Sequence, residues 1–197
     1  MSETEFLIGR SGLDLVDDFY PEDLPNEWRF DYYSTLFKTL SLPIDTQEDL
    51  DSIFEELEDS DEEFELVLSI SSKQLASASD LANLLDSVSE YRSLFVLFCE
   101  LKHQLDADVI ALLKDYRVAF QSDQSYKLDY QAQEVVGKYL YYSHIPVLYT
   151  TSSWDEKQMR AYVEQAAAIN TRTILICKHA ESGALNKIRI IAEILGF

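Results

Sequence analysis

The sequence has few of the features that mark a secreted or membrane-spanning protein. Cysteine occurs only twice, as Cys99 and Cys177, which is too few for a disulfide framework. No apolar run approaches the roughly 18 residues of a membrane span. The first residues lack the basic start and the long apolar stretch of a secretory signal. We therefore expect a soluble protein with a cytoplasmic location.

Glycine and proline are also scarce, with 5 and 4 occurrences respectively. Flexible or extended linkers are usually rich in glycine, serine or proline, so this scarcity predicts one domain that spans residues 1–197. The chain has 197 residues, of which 47% are hydrophobic, and this is enough to bury a sizeable core without disulfides.

Basic residues are outnumbered, because 16 Lys and Arg stand against 36 Asp and Glu, for a formal charge of −20. Proteins that bind nucleic acids or anionic membranes usually present a basic surface, so neither partner is expected. About twelve carboxylates crowd residues 45–65, and no basic residue lies between Lys38 and Lys73. This acidic surface could bind a basic protein partner, and a simply solvated surface is the alternative.

Short apolar runs alternate with amphipathic stretches, which is typical of βα units. We predict helices between the strands, including one at Trp28 to Leu40 and a tyrosine-rich one from about Gln131. Capping patterns predict helix starts at residues 46–49, at Ser79 and at Ser153, and Gly196 predicts a helix end. The predicted strands are residues 5–9, 64–70, 94–98, 116–121, 146–150 and 173–177.

Several segments resemble the YecE-like proteins, a family known as a domain of unknown function. The opening of the chain is similar in residues 8–12 (IGRSG) and in residues 19–25 (FYPEDLP), and Tyr32, Tyr33 and Phe37 follow them. Near the other end, residues 182–186 (SGALN) resemble the family's ending. The resemblance implies a TIM-like (β/α) barrel, here abbreviated to about six strands and incomplete or open.

The departures from the family pattern lie mainly where a barrel would hold its site. Leu13 stands where the family has an early Trp, and residues 39–43 run straight into a helix where the family has its second strand. Lys178 and His179 replace a pair of Asn residues after the last strand. The resemblance therefore implies a shortened, degenerate member that has lost most of its polar mouth residues.

Four residues remain as candidates for ligand binding at the carboxyl ends of the strands. Arg10 and Ser11 follow the first predicted strand, and Lys178 and His179 follow the last. A cation beside a histidine could bind an anionic group and shift its titration. A solvated loop is the alternative interpretation. The sequence identifies no catalytic residue, and it contains no motif for a cofactor, so none is expected.

Two further clusters have a structural and a functional interpretation. Four zinc ligands could come from Cys99, His103, Cys177 and His179. Their spacing is unusual for a zinc site, and a buried cysteine commonly packs as a small apolar residue. No metal is therefore expected. Five tyrosines could form an oligomer interface or pack internally, which leaves the oligomeric state open. They are Tyr126, Tyr130, Tyr139, Tyr141 and Tyr142.

Two functions follow from these patterns. The first is a non-catalytic binding or interaction protein that has kept the core of a YecE-like barrel and lost its polar site. The second is a small-molecule enzyme with an anion-binding site at the carboxyl ends of the strands. The missing mouth residues and the strong acidity favour the first function.

Overall fold

The computed structural model of the chain describes residues 4–45, 50–169 and 171–197. Within these ranges, the strands are β1 (Phe6–Gly9), β2 (Thr39–Pro43), β3 (Glu65–Ser69), β4 (Phe95–Leu101), β5 (Val118–Ser122), β6 (Gln131–Val135), β7 (Lys138–Tyr142), β8 (Val147–Thr150) and β9 (Thr173–Cys177). The α-helices are α1 (Arg29–Ser34), α2 (Leu50–Asp59), α3 (Ser72–Leu75), α4 (Ala78–Val88), α5 (Ala107–Leu113), α6 (Glu156–Ala166) and α7 (Ser182–Leu195). Short 3₁₀ turns lie at Asn26–Trp28 and Ser89–Tyr91.

The strands form two sheets. β1, β9 and β8 make a parallel three-stranded sheet in the order β1-β9-β8. The other six follow the order β2-β3-β4-β5-β7-β6, in which β2 to β5 are parallel and β7 pairs antiparallel with both neighbours. The expected α/β class is confirmed. Between the described strands, however, backbone pairing does not form one closed sheet.

The apolar runs at β3 and β4 form strands that are buried on both faces, as their continuous hydrophobicity predicts. Leu66 and Leu97 belong to the larger apolar cluster, which the helices cover. The neighbouring Val67 and Val96 point to the other face, because side chains alternate along a strand. There they join a second cluster with residues of β1, β5, β8 and β9. This second cluster is a core enclosed between the two sheets.

β1 and β2 connect the two sheets at a close backbone approach. Ser41 donates its amide to the carbonyl of Arg10 at 2.9 Å and accepts the amide of Gly12 at 2.8 Å. A β-carbon on Gly9 would collide with the Thr39 carbonyl group, so this contact requires glycine at position 9. β2 is therefore a true strand, and the expectation that residues 39–43 run straight into a helix is wrong.

β6 and β7 form an antiparallel hairpin where we expected a tyrosine-rich helix. A two-residue loop of Val136 and Gly137, both with positive φ, joins Val135 to Lys138. The helix prediction at Gln131 is therefore wrong, because this turn sets a two-residue alternation in the strands that follow. The five tyrosines are buried or half-buried, and the amide of Tyr126 donates to the Tyr141 hydroxyl at 2.6 Å, so they mainly pack internally.

Several helix limits also differ from the sequence predictions. The helix predicted from Trp28 to Leu40 is the short α1, because the chain turns into β2 at Thr39. Ser77, not Ser79, caps α4, and Asp155, not Ser153, caps α6 in a capping box with Gln158. Gly196 ends α7 with φ of 85°, as predicted. The capping pattern predicted at residues 46–49 lies outside the described residues.

Candidate functional site

The carboxyl ends of the parallel strands, where barrel enzymes hold their substrates, are filled by side chains. Tyr149 on β8 stacks on Phe98 of β4, with ring centroids 4.2 Å apart and an interplanar angle of 17°. Both rings are buried. They occupy the space between the two sheets at this end of the strands.

Hydrogen bonds hold Tyr149 in this position. Its hydroxyl shares a hydrogen bond with the Ser41 hydroxyl and accepts one from Ser11 at 3.5 Å. Burial raises the pKa of Tyr149, against the opposing effect of the serine hydrogen bonds, so the phenol stays neutral at physiological pH. We call Phe98, Tyr149, Ser41, Ser11 and Gln121 the mouth layer.

Gln121 completes the mouth layer by bridging β5 and β8. Its side-chain nitrogen donates to the carbonyl of Tyr149 at 3.2 Å, and its side-chain oxygen accepts the amide of Tyr149 at 2.8 Å. A glutamine amide here replaces a backbone partner, because β7 and not β8 pairs with β5. Gln121, Tyr149 and Ser41 are all buried, so the mouth layer resembles a protein interior more than a ligand site.

Arg10 lies outside the mouth layer, although it directly precedes Ser11. It is only 7% exposed, and its amide donates to the Tyr33 hydroxyl at 3.2 Å. Its Nε and Nη1 atoms are buried without a hydrogen-bond partner in the described part of the chain. Burial raises the pKa of Tyr33 and the positive charge of Arg10 opposes that rise, so the guanidinium lies near this phenol.

Lys178 and His179 follow β9, which pairs with β1, but no hydrogen bond or ion pair joins either of them to Arg10 or Ser11 in the described part of the chain. Lys178 is half-buried, and its amide donates to the Thr150 carbonyl at 2.8 Å. His179 is exposed and lines a cavity of about 300 Å³ with Cys177, Trp154 and other residues after β8 and β9. Of the four predicted ligand residues, Ser11 contacts Tyr149 through its side chain, whereas Arg10 contacts the mouth layer through its backbone carbonyl, which accepts the amide of Ser41.

The amino-terminal end of α7 borders this cavity and is occupied by a carboxylate of the chain itself. Asp17 Oδ2 accepts hydrogen bonds from the Ser182 hydroxyl at 2.8 Å and from the Gly183 amide at 3.1 Å. Burial works to raise the pKa of Asp17, but the hydrogen bonds from Ser182 and Gly183 outweigh it, so the pKa lies below its ordinary value. The place where a helix end would bind an anionic ligand is therefore already taken.

The four candidate zinc ligands lie in two separate cavities. Cys99 and His103 line one of about 290 Å³ after β4, whereas Cys177 and His179 line the cavity after β9. Burial raises the pKa of both thiols to about 12, which disfavours the thiolate that zinc requires. Residues 4–45, 50–169 and 171–197 contain no group of three His, Cys, Asp or Glu side chains placed to hold a metal.

Two acidic surfaces are exposed. The one that the sequence indicated, at residues 45–65, is described except for residues 46–49 and is partly neutralised, since Lys38 pairs with Glu62 and Arg172 pairs with Glu63. The other is the loop from β1 into α1, which we call the acidic loop, residues 14–31. Its exposed carboxylates are Asp14, Asp18, Glu22, Asp23, Glu27 and Asp31, and Arg29 is its only basic residue.

The acidic loop also exposes large apolar side chains. Val16 is 82% exposed and Trp28 is 60% exposed. A single exposed apolar residue is ordinary, but tryptophan is enriched where proteins bind one another. The sequence pattern did not single out this loop, because its carboxylates are spread among apolar and proline residues and do not form a run.

Sequence reasoning also missed the mouth layer. Ser41 lies on a strand that was not predicted, and the Gln121 contact depends on which strand neighbours β5. Comparisons with protein-family models, with curated proteins and with solved structures find no match. Among the described helices, none combines the length and apolar character needed to cross a bilayer.

Proposed function

We propose that this chain is a non-catalytic interaction protein that binds a basic protein partner through its acidic surface. The observation that carries the proposal is the filled mouth layer. The buried Tyr149 stacks on Phe98 and is hydrogen-bonded to Ser41 and Gln121, where a barrel enzyme would keep open space and unpaired polar groups.

We further infer that the two sheets derive from one TIM-like barrel of the YecE-like type. Seven of the strands are parallel to a neighbour, and a backbone link at Ser41 connects β2 to β1. The Gln121 amide connects β5 to β8 across the other gap. The antiparallel β7 takes the edge of β5 where a barrel would place its next parallel strand.

The acidic loop is the part of the surface that best suits a basic partner. It combines six exposed carboxylates with the exposed Trp28 and Val16, so a bound partner would gain both apolar contact and charge complementarity. The ring of Tyr20 lies under the Arg29 guanidinium at 5.1 Å, which orders the base of the loop. The free, buried Cys99 and Cys177 favour a cytoplasmic location, and the charge of −20 disfavours nucleic acid as the partner.

Binding of a synthetic helical peptide with lysines on one face and leucines on the other tests this proposal. We expect the wild-type chain to bind the labelled peptide, as measured by fluorescence anisotropy, and Trp28→Ala to weaken binding about tenfold. Ile194→Ala is the matched control, because Ile194 is also exposed but lies on α7. Equal affinity of the wild-type and Trp28→Ala chains would contradict a role for the acidic loop.

The small-molecule enzyme remains the second candidate because the cavity beside His179 is large enough for a small ligand. Native mass spectrometry of the purified chain distinguishes the two functions. A bound small molecule that is lost in His179→Ala or Lys178→Ala would favour the enzyme. We expect the wild-type chain to carry none.

A further inference from the structure

A groove between α6 and α7 carries an apolar surface that the core does not use. It has a volume of about 470 Å³ and is lined by Ile190, Ile191 and Ile194 of α7. Ile190 is 40% exposed and Ile194 is 77% exposed. The core face of α7 is separate and consists of the buried Leu185, Ile188 and Ala192. α7 therefore has two apolar faces, and only one of them is covered.

The rim of this groove is basic, in contrast to the rest of the surface. Lys157 and Arg160 of α6 and Lys187 of α7 line it, with Glu156 as the only acidic lining residue. Lys187 pairs with Glu156 at 3.3 Å and Arg160 with Glu164 at 2.9 Å, but all four side chains are about half exposed or more, so these pairs are weak. Lys157 makes no ion pair with any described residue.

The spacing on α7 fits one side of a helix-binding groove. Lys187, Ile190, Ile191 and Ile194 follow one another at i, i+3, i+4 and i+7, so they share one helix face. A partner helix laid along this face would contact the isoleucines with its apolar side. Its flanking residues would meet Lys157 and Arg160 of α6, and Lys187 at the start of the isoleucine stripe.

We propose that the α6–α7 groove binds an acidic amphipathic helix of a partner protein. Charge complementarity selects this occupant, because a basic rim on a chain of net charge −20 is the place where an acidic segment meets the least repulsion. A second copy of this chain is a poor occupant. Two copies would each bring a charge of −20, and a two-fold contact through the groove would place the basic rims against each other. The proposal does not depend on the acidic loop and concerns a different surface.

The test uses a labelled synthetic helical peptide with leucines at i, i+3, i+4 and i+7 and glutamates on both flanks. We expect the full chain to bind this peptide. Ile194→Asp should weaken binding about tenfold, because it replaces an apolar contact with a carboxylate that repels the glutamates of the peptide. The double variant Lys157→Glu with Arg160→Glu should weaken binding by a similar factor and reduce its dependence on salt. Ile194, Lys157 and Arg160 are exposed, so these changes leave the core intact.

Controls separate this surface from general charge effects and from the acidic loop. The double variant Lys114→Glu with Lys127→Glu makes the same change in net charge on exposed residues outside α6 and α7 and should leave binding unchanged, as should Trp28→Ala. A scrambled peptide of the same composition should bind more weakly. If the wild-type and Ile194→Asp chains bind the acidic peptide equally, or if native mass spectrometry shows a dimer that Ile194→Asp dissociates, the proposal is wrong.

Discussion

Between the two sheets, the mouth layer at the carboxyl ends of the parallel strands consists of neutral groups, whereas the residues at the amino ends form ion pairs. The mouth layer contains phenol, hydroxyl and amide groups that bond to one another. At the other end, each charged residue begins a strand or lies one or two residues before one. Arg172 pairs with Glu5 at 3.1 Å and with Glu63 at 3.0 Å, and Arg117 pairs with Glu65 at 2.7 Å.

The difference follows the access of water. The ion pairs at the amino ends keep part of their hydration, since the Arg172 side chain is 32% exposed. Charges in the mouth layer would lose that hydration without enough compensation, so neutral hydrogen-bonded groups are the stable solution there. The carboxyl end of the strands, which holds the active site in α/β-barrel enzymes, is thus packed as core in this chain. The amino end is a more polar surface, and the strength of its ion pairs should depend on salt.

Among single substitutions, the largest effect is expected on loss of the tyrosine that fills the mouth layer. Tyr149→Ala removes a buried ring stacked on Phe98 and should lower the free energy of unfolding by about 3–5 kcal/mol, as urea denaturation would measure. Tyr149→Phe keeps the ring and should cost only about 1–2 kcal/mol. A loss below about 1 kcal/mol in Tyr149→Ala would mean that this end of the strands is not packed as core.

Alkaline pH should weaken the carboxyl end next. Cys99 and Cys177 have pKa values raised by burial from 9.0 to about 12. Above pH 9.0 the unfolded chain loses these protons while the folded chain keeps them, so the folded state holds more protons. The free energy of unfolding should therefore fall between pH 9.0 and about 12, by at most about 1.4 kcal/mol per pH unit for each thiol.

Urea denaturation of the wild-type chain across this pH window measures the decline. The double variant Cys99→Ala with Cys177→Ala is the control and should show a shallower slope, with the remainder due to buried tyrosines such as Tyr149. Identical slopes in the two chains would show that the thiols are not protected in the folded state.

The smallest effect is expected at the amino ends. Arg172→Gln removes pairs with Glu5 and Glu63 and a longer one with Glu65 at 3.9 Å, and it should cost about 1 kcal/mol at low salt, because Glu5 and Glu63 are largely exposed. The difference from wild type should shrink in high salt, as thermal unfolding would show. Tyr149→Ala is the comparison, since its cost should not depend on salt. If the loss of stability in Arg172→Gln does not depend on salt, these ion pairs are shielded from solvent in the same way as the mouth layer.

Local patterns predicted much of the fold. The apolar runs of β3 and β4 and the amphipathic pattern of α2 and α7 follow from burial of one or both faces, and each was predicted. β2 was missed because Leu36, Phe37 and Leu40 continue the helical spacing that begins at Trp28, so Leu40 was assigned to the preceding helix. The β6–β7 hairpin was missed because Val136 is a β-branched residue at positive φ, where glycine or asparagine would have marked the turn.

The candidate site was less predictable because it depends on contacts between distant segments. Arg10 and Ser11 are adjacent in sequence, yet only Ser11 reaches Tyr149. β5 and β8 do not pair through their backbones, so the side chain of Gln121 bonds to the backbone of Tyr149 in place of a neighbouring strand. No local sequence pattern predicts this contact. The occupation of the α7 end by Asp17 likewise depends on how the acidic loop folds back.

The order of the strands has a consequence for synthesis of the chain on the ribosome. β2 to β7 form their sheet from one continuous stretch, so this sheet can assemble as the polypeptide emerges. β1 pairs with β9, from nearly the other end of the sequence, and this pairing has high contact order. β1, which contains Phe6, Leu7 and Ile8, therefore has no sheet partner until β9 has been synthesised. During that interval this segment is the part of the nascent chain most open to chaperones and to aggregation.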